Sequence, residues 1–220
     1  MAGFNKKDLS EADIRTKFIT PAIVKAGWSS FSQMREEYPI TKGRIIARGK
    51  ICKREMPLKA DYVLFYKPNK AIAIVEAKDN NHSIGDGMQQ ALNYANMMDV
   101  PFVFSSNGDG FVFHNKFITD GDVEITLSLD EFPSPDTLWQ MYHEQAHVSP
   151  SQDQIINEPY YSDNPDKQPR YYQRRAVDAA VEAVACGKRR LLLVMATGTG
   201  KTFGSIWSLH FAAKAAPSFS

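Results

Sequence analysis

Apolar and polar positions alternate in short blocks over the first two thirds of the chain. Two blocks, residues 59–66 and 71–78, are rich in β-branched and aromatic residues and predict the strands of a β-hairpin with a four-residue loop. Other blocks predict a helix from Ser10, strand material over 38–51, a helix over 88–98, strands at 100–105 and 110–114, and a helix at 138–143. This order of elements indicates an α/β fold.

The register of the hairpin decides which polar side chains meet. If Tyr66 lies opposite Ala71, Asp61 lies directly opposite Glu76, with Cβ atoms roughly 5 Å apart. Period-two alternation places Lys78 on the same face as Glu76, whereas a slip of one residue would separate the group. Two facing carboxylates repel unless a hard divalent cation such as Mg²⁺ lies between them. The patch is therefore a candidate metal-dependent nuclease site; the alternative is a surface ion pair.

A predicted helix follows this patch and carries two further candidates. Gln90 and Tyr94 are four residues apart, so they share one face of the helix over residues 88–98. The alternative interpretation is a half-buried core tyrosine beside a solvated glutamine.

A second candidate site lies towards the other end of the chain. The apolar run 191–195 predicts a strand that leads into the glycine-rich sequence ATGTGKT, residues 196–202. In such a turn the backbone amides point at an anion, the lysine reaches terminal phosphates and the next hydroxyl is offered to Mg²⁺. The alternative is a fortuitous glycine-rich turn. The sequence resembles motif I of superfamily-2 helicases and translocases, which implies ATP binding by Gly198, Thr199, Gly200, Lys201 and Thr202.

Upstream of this turn, residues 170–173 open an amphipathic helix. Gln173 resembles the glutamine with which such motors contact adenine. The alternative is an ordinary glutamine at a helix N-terminus.

The order of these motifs extends along nearly the whole chain. Together they resemble the N-terminal part of the restriction (R) subunit of type I restriction-modification enzymes, and residues 10–28 are similar to the first helix of that subunit. The resemblance implies a PD-(D/E)xK endonuclease domain over 1–143, with a restriction-endonuclease-like mixed sheet flanked by helices. It further implies a linker over 144–169 and a truncated RecA-like helicase lobe over 170–220.

The resemblance also implies a set of metal ligands. Asp61 and Glu76 would bind Mg²⁺, with the backbone carbonyl of Ala77 as a third ligand. Glu11 would be an outer ligand of the same ion or, equally, an acid at the start of the first helix.

Three further residues receive roles from the resemblance. Lys78 would position or help to deprotonate the attacking water and neutralise charge on the scissile phosphate, while Gln90 and Tyr94 would orient the site or contact the DNA backbone. One departure from the family pattern is that Ala60, and not proline, precedes Asp61.

The implied activity is Mg²⁺-dependent endonucleolytic cleavage of double-stranded DNA, within an ATP-dependent enzyme that translocates DNA. The implied partners are double-stranded DNA and the modification (methyltransferase) and specificity subunits of the same complex. The acidic motif and arginines of a complete motor are missing after residue 202, so we expect no ATP hydrolysis by this chain. Two alternatives stay open: a helicase-nuclease of another phage-defence or repair system, and a non-catalytic nuclease-like module that binds DNA or docks the complex.

Composition restricts these hypotheses without selecting among them. A hydrophobic content of 43% and a charged content of 23% are typical of a soluble globular protein, and the net charge of +1 gives no overall attraction for DNA. Seven basic residues within 42–59 form either a local DNA-binding groove or a solvated face. Cys52 and Cys186 are isolated, which predicts reduced thiols and no zinc site. Neither a signal peptide nor an apolar run of about eighteen residues is evident, which predicts the cytoplasm.

Overall fold

The computed structural model of the protein describes residues 5–41, 45–48, 51–54, 57–67, 70–147, 153, 171–185 and 190–195. The chain divides into two compact units, Met1–Gln145 and Ala146–Ser220.

The first unit contains eight strands among its described residues. Their bounds are β1 Met34–Thr41, β2 Ile45–Arg48, β3 Ile51–Arg54, β4 Leu58–Lys67, β5 Lys70–Ala77, β6 Phe102–Ser106, β7 Gly110–Asn115 and β8 Glu124–Ser128. Six of them form one mixed sheet in the order β1-β4-β5-β6-β7-β8, and β2 pairs with β3 in a separate ribbon. Neighbours in the sheet are antiparallel except β5 and β6, which are parallel.

The parallel pair requires a crossover, because parallel strands cannot be joined by a tight turn. Helix α3, Met88–Met98, provides it and packs against β5 and β6. The buried side chains between this helix and the sheet form one hydrophobic cluster: Ile40, Ala60, Val63, Phe65, Ile74, Met88, Ala91, Tyr94, Ala95, Met98, Val100 and Val103.

The first helical segment has three consecutive parts: α1 Glu11–Ile14, a π-helical turn Arg15–Ile19, and α2 Thr20–Lys25. Ser10 caps α1 in a capping box with Asp13, whose side chain in turn accepts a hydrogen bond from the Ser10 amide. Single π turns are frequent at functional sites, and this one carries Arg15 towards the sheet.

Aromatic side chains pack against one another in the remainder of the first unit. Phe104 and Phe111 of neighbouring strands each lie 4.7 Å, between ring centroids, from Phe132. Helix α4, Pro135–Ala146, stacks Trp139 on Tyr66 of β4 with centroids 4.4 Å apart. This helix is longer than the predicted 138–143 and continues into the segment predicted as linker.

In the second unit, helix α5 comprises Tyr171–Ala185, and Val177 and Val181 are buried. The predicted strand over 191–195 is wrong, because these residues form no strand and Leu192 is 90% exposed. An apolar segment becomes a strand only when neighbouring strands pair with it, and no described residue pairs with this one.

Candidate functional site

The β4–β5 hairpin brings Asp61 and Glu76 together. Tyr62 lies opposite Val75, and continuing that register by one residue places the two carboxylates opposite each other. The predicted register is therefore present beside the site. Both acids are buried, with relative exposures of 9% for Asp61 and 2% for Glu76.

The predicted contact between Tyr66 and Ala71 is wrong. Phe65 lies opposite Ala71, and Lys67 pairs with Lys70. The pairing shifts twice between Leu64 and Lys67, and the second shift restores the register that the first one breaks. The irregularities are confined to the loop end of the hairpin, so they leave the carboxylate pair in place.

Asp61 is held by the neighbouring strand and by the first helical segment. Its Oδ2 accepts a hydrogen bond of 2.8 Å from the Ala77 amide, and its Oδ1 lies 3.4 Å from Nη1 of Arg15. Burial raises the pKa of Asp61, and these two contacts oppose that rise. The two contacts orient the carboxylate, but they do not fully offset the cost of burying its negative charge.

Glu76 is the less compensated of the two acids. Its Oε1 lies 3.4 Å from Nζ of Lys78, whereas its Oε2 is buried and accepts no hydrogen bond from any residue in the described ranges. Burial first, and the charge of Asp61 second, raise the pKa of Glu76 to about 8. The arrangement favours an added cation or a retained proton.

Lys78 joins the carboxylates to α3. Its Nζ donates to Oε1 of Gln90 at 3.3 Å, and Nε2 of Gln90 donates to the Tyr94 hydroxyl at 3.0 Å. Tyr94 is buried and also belongs to the core cluster. The structure thus places all five predicted catalytic side chains in one connected group, while their chemical roles stay predictions.

The donor atoms fit a hard cation. Mg²⁺ is usually held by one or two carboxylates and keeps several waters, so the oxygens of Asp61 and Glu76 suit it. Oε2 of Glu76, which has no hydrogen-bond donor among the described residues, is the atom that gains most from such an ion. Within the described ranges no three His, Cys, Asp or Glu side chains are arranged around a common metal position. The Ala77 carbonyl stays a prediction as the third ligand.

Glu11 lies within the electrostatic field of this group. Burial first, and repulsion by Asp61 second, raise its pKa, while Lys78 and Arg15 lower it. The capping box at the start of α1 is formed by Ser10 and Asp13. Glu11 therefore lies both in the first turn of a helix and near the carboxylate pair.

Sequence patterns did not single out Arg15. Its guanidinium contacts Glu36, Glu37 and Asp61, and only 12% of its side chain is exposed. An arginine in a helix of mixed polarity gives no signal of a partner 46 residues away.

Gly87 was also missed. Its amide donates to Oγ of Ser105 at 3.1 Å, and a Cβ at this position would lie 3.2 Å from Cγ of Glu76. A glycine immediately before a predicted helix was the available signal, because glycine permits close backbone approach.

The predicted ATP site cannot be assembled from the described residues. Gln173 lies in α5 and is half-buried. The remaining predicted ATP ligands, in residues 196–202, lie outside the described residues. Most of the basic stretch 42–59 has no described side chains; Lys59, at its end, lies 3.8 Å from Glu37. Among the described helices, none has the length and apolar character needed to cross a membrane.

Two family models match the chain. The model described as "Type I restriction enzyme R protein N terminus" matches residues 14–133. The model described as "Type III restriction enzyme, res subunit" matches residues 166–217.

Three known proteins are similar over most of the chain. The type I restriction enzyme EcoAI endonuclease subunit of Escherichia coli is 46% identical over 95% of this chain and 26% of its own length. The EcoKI endonuclease subunit of E. coli strain K12 is 28% identical over 90% of this chain and 21% of its own length. A solved fragment assigned to the HsdR subunit of a type I restriction enzyme from Vibrio vulnificus YJ016 has a TM-score of 0.82 at 34% identity, covering 94% of this chain and 38% of that one. The chain thus spans about a quarter of the length of the curated relatives it matches.

Proposed function

Because this chain belongs to the type I restriction enzyme R protein family, we propose that its first unit is a Mg²⁺-dependent endonuclease that cleaves double-stranded DNA. The observation that carries the proposal is the buried Asp61–Glu76 pair, with Lys78 beside it and with one Glu76 oxygen that accepts no hydrogen bond from the described residues. The E. coli relatives, which are named endonuclease subunits, support the same activity.

The side chains of the group have distinct tasks in this proposal. Asp61 and Glu76 hold the metal ion, with the Ala77 carbonyl as a third ligand. When bound, Mg²⁺ supplies Lewis acidity at the scissile phosphate and at the attacking water. Lys78 places its ammonium beside the same phosphate, neutralises its charge and positions the water.

Gln90 and Tyr94 orient the lysine. The Gln90 side chain accepts a hydrogen bond from Lys78 and donates one to Tyr94. These hydrogen bonds connect the ammonium group to Tyr94, which belongs to the hydrophobic cluster between α3 and the sheet. Such support keeps a catalytic side chain in one rotamer, which is a condition for efficient charge stabilisation.

The second unit is proposed to begin an ATP-driven motor that translocates DNA. In this proposal Gln173 contacts adenine, and the phosphates and Mg²⁺ are bound by Gly198, Thr199, Gly200, Lys201 and Thr202. The ATGTGKT sequence and the match of residues 166–217 to a restriction-enzyme family model support it. The proposed partners are double-stranded DNA and the modification and specificity subunits.

Metal binding to the 220-residue chain tests the nuclease centre directly. We expect calorimetric titration with Mn²⁺ or Mg²⁺ to show binding by the wild type and loss of binding in Asp61→Asn and Glu76→Gln. Asp86→Asn is the matched control, because Asp86 is exposed and bonded to Ser83 and His82. Identical heats in all four proteins would show that the carboxylate pair is structural.

Cleavage by the subunit assembled with its partners tests the role of Lys78. We expect Lys78→Ala to abolish cleavage while DNA binding persists, because the phosphate loses its neutralising charge. A non-catalytic docking module would instead leave cleavage unchanged in this variant. Co-purification with a DNA methyltransferase would favour restriction over a helicase-nuclease of another system.

A further inference from the structure

The Asp61 carboxylate is fixed from two directions. The Ala77 amide donates to Oδ2, and Arg15 approaches Oδ1 at 3.4 Å while its Nη2 lies 3.5 Å from the Asp61 carbonyl. The guanidinium also lies over the Tyr62 ring, 5.0 Å from its centroid. The arginine therefore contacts both the side chain and the backbone of a predicted metal ligand.

The same two guanidinium nitrogens also contact β1. Nη1 of Arg15 is paired with Oε1 of Glu37, and Nη2 lies 3.3 Å from Oε2 of Glu36. Because Glu36 lies opposite Tyr62 in the β1–β4 pair, Glu37 lies level with Asp61. One half-buried guanidinium thus joins the outer strand of the sheet to the proposed metal-binding strand.

The backbone of Glu37 adopts an unfavourable conformation beside this contact. Its φ of 49° lies in the left-handed region, which is rare for residues other than glycine. Such conformations persist only where the surrounding structure maintains them, and they concentrate at functional sites. Ion pairs of Glu37 with Arg15 and with Lys59 accompany the strained backbone.

We infer that Arg15, anchored by Glu36 and Glu37, is a positioning residue that orients Asp61 for metal binding. A guanidinium suits this task because its planar fork meets several carboxylates at fixed angles, whereas an ammonium is a point charge. Partners of ligating carboxylates raise metal affinity by holding the ligand in its binding orientation. The inference rests on the proposed metal-binding role of Asp61 and Glu76.

Arg15→Lys is the primary test, because it keeps the positive charge and removes the fork. We expect calorimetry on the 220-residue chain to show about 10-fold weaker Mn²⁺ binding, the lower end of the loss typical for such partners. The matched control is Lys6→Met, which removes another partly buried ion pair of the first unit, with Asp109 at 2.6 Å. The control should melt at a lower temperature but bind Mn²⁺ as the wild type does.

Glu37→Gly separates positioning from stability. Glycine adopts a positive φ without strain, so this variant loses one of the two anchors of Arg15 while the backbone strain at this position is relieved. We expect weaker Mn²⁺ binding with a melting temperature at or above that of Lys6→Met.

The possible outcomes distinguish the inference from the proposal on which it rests. Wild-type binding with unchanged affinity in both Arg15→Lys and Glu37→Gly would overturn the inference alone. Absence of Mn²⁺ binding in the wild type would overturn the proposed metal site and the inference with it. Weakened binding in both variants, with the Lys6→Met control unaffected, would support the inference.

Discussion

The Glu76 carboxyl is the group through which pH should act most strongly on the metal-free protein. Burial and the neighbouring Asp61 raise its pKa to about 8, so the folded state holds a proton that the unfolded state has released. Between the ordinary carboxyl pKa and about 8, the free energy of unfolding therefore falls as pH rises. The raised pKa of Asp61 acts in the same direction. We predict a lower melting temperature near pH 9 than near pH 6 in the presence of EDTA.

Glu76→Gln is the control for this pH dependence, because the amide does not titrate. Its melting temperature should change less between the two pH values and should exceed that of the wild type near pH 9. A wild-type melting temperature that rises over this range would contradict the assignment of the proton to Glu76.

The loop between β5 and α3 approaches β5 and β6 closely at Gly87. A Cβ at this position would lie 2.9 Å from Oγ of Ser105 and 3.2 Å from Cγ of Glu76. The serine is held in place, since its Oγ donates to the Ile84 carbonyl at 2.6 Å and accepts from the Gly87 amide. We predict that Gly87→Ala lowers the free energy of unfolding by about 1–3 kcal/mol and weakens Mn²⁺ binding, because Glu76 must move. Urea unfolding and calorimetry measure the two effects.

Gly85→Ala, in the same loop, is the matched substitution. Its Cβ would meet only Cγ2 of Val112, at an ordinary contact distance of 3.8 Å. Both stability and Mn²⁺ affinity should remain close to wild type. If the two alanine variants behaved alike, close packing against Glu76 would not be the cause.

The elements that sequence patterns predicted correctly are those with local signals. The β4–β5 hairpin, α3 and the β6–β7 hairpin each have a clear apolar pattern and a short connection. The strand material predicted over 38–51 covers only the second half of β1, and no strand was predicted at β8, because both strands are largely exposed and carry few buried side chains. The parallel placement of β6 beside β5 depends on packing of the crossover helix, which no local pattern specifies.

The candidate site shows the same division between local and distant information. Asp61 and Glu76 meet through one hairpin, so strand alternation and an assumed register sufficed to pair them. Arg15 reaches the site from another element, and its ion pair with Glu37 involves a third. Such a contact requires the relative placement of three elements, which periodicity does not determine.

Every contact of the candidate metal centre that involves described residues, from Glu11 in α1 to Ser105 in β6, lies in the first unit. A unit of this length is typical of a domain that buries its own core. We predict that residues 1–147 fold alone and bind Mn²⁺ with the affinity of the 220-residue chain, as judged by circular dichroism and calorimetry. Weaker binding by this shorter chain would mean that the second unit contributes to the site.

A cut after residue 134 provides the contrast. It removes α4, whose Leu138, Trp139 and Tyr142 are buried, and it exposes the Tyr66 ring on which Trp139 stacks. Burying one large apolar side chain contributes about 1.5–3 kcal/mol. Removal of the three side chains together should therefore unfold or strongly destabilise the unit. If residues 1–134 instead retained full stability, α4 would not belong to the folding unit, and the boundary of the first folding domain would lie before Pro135.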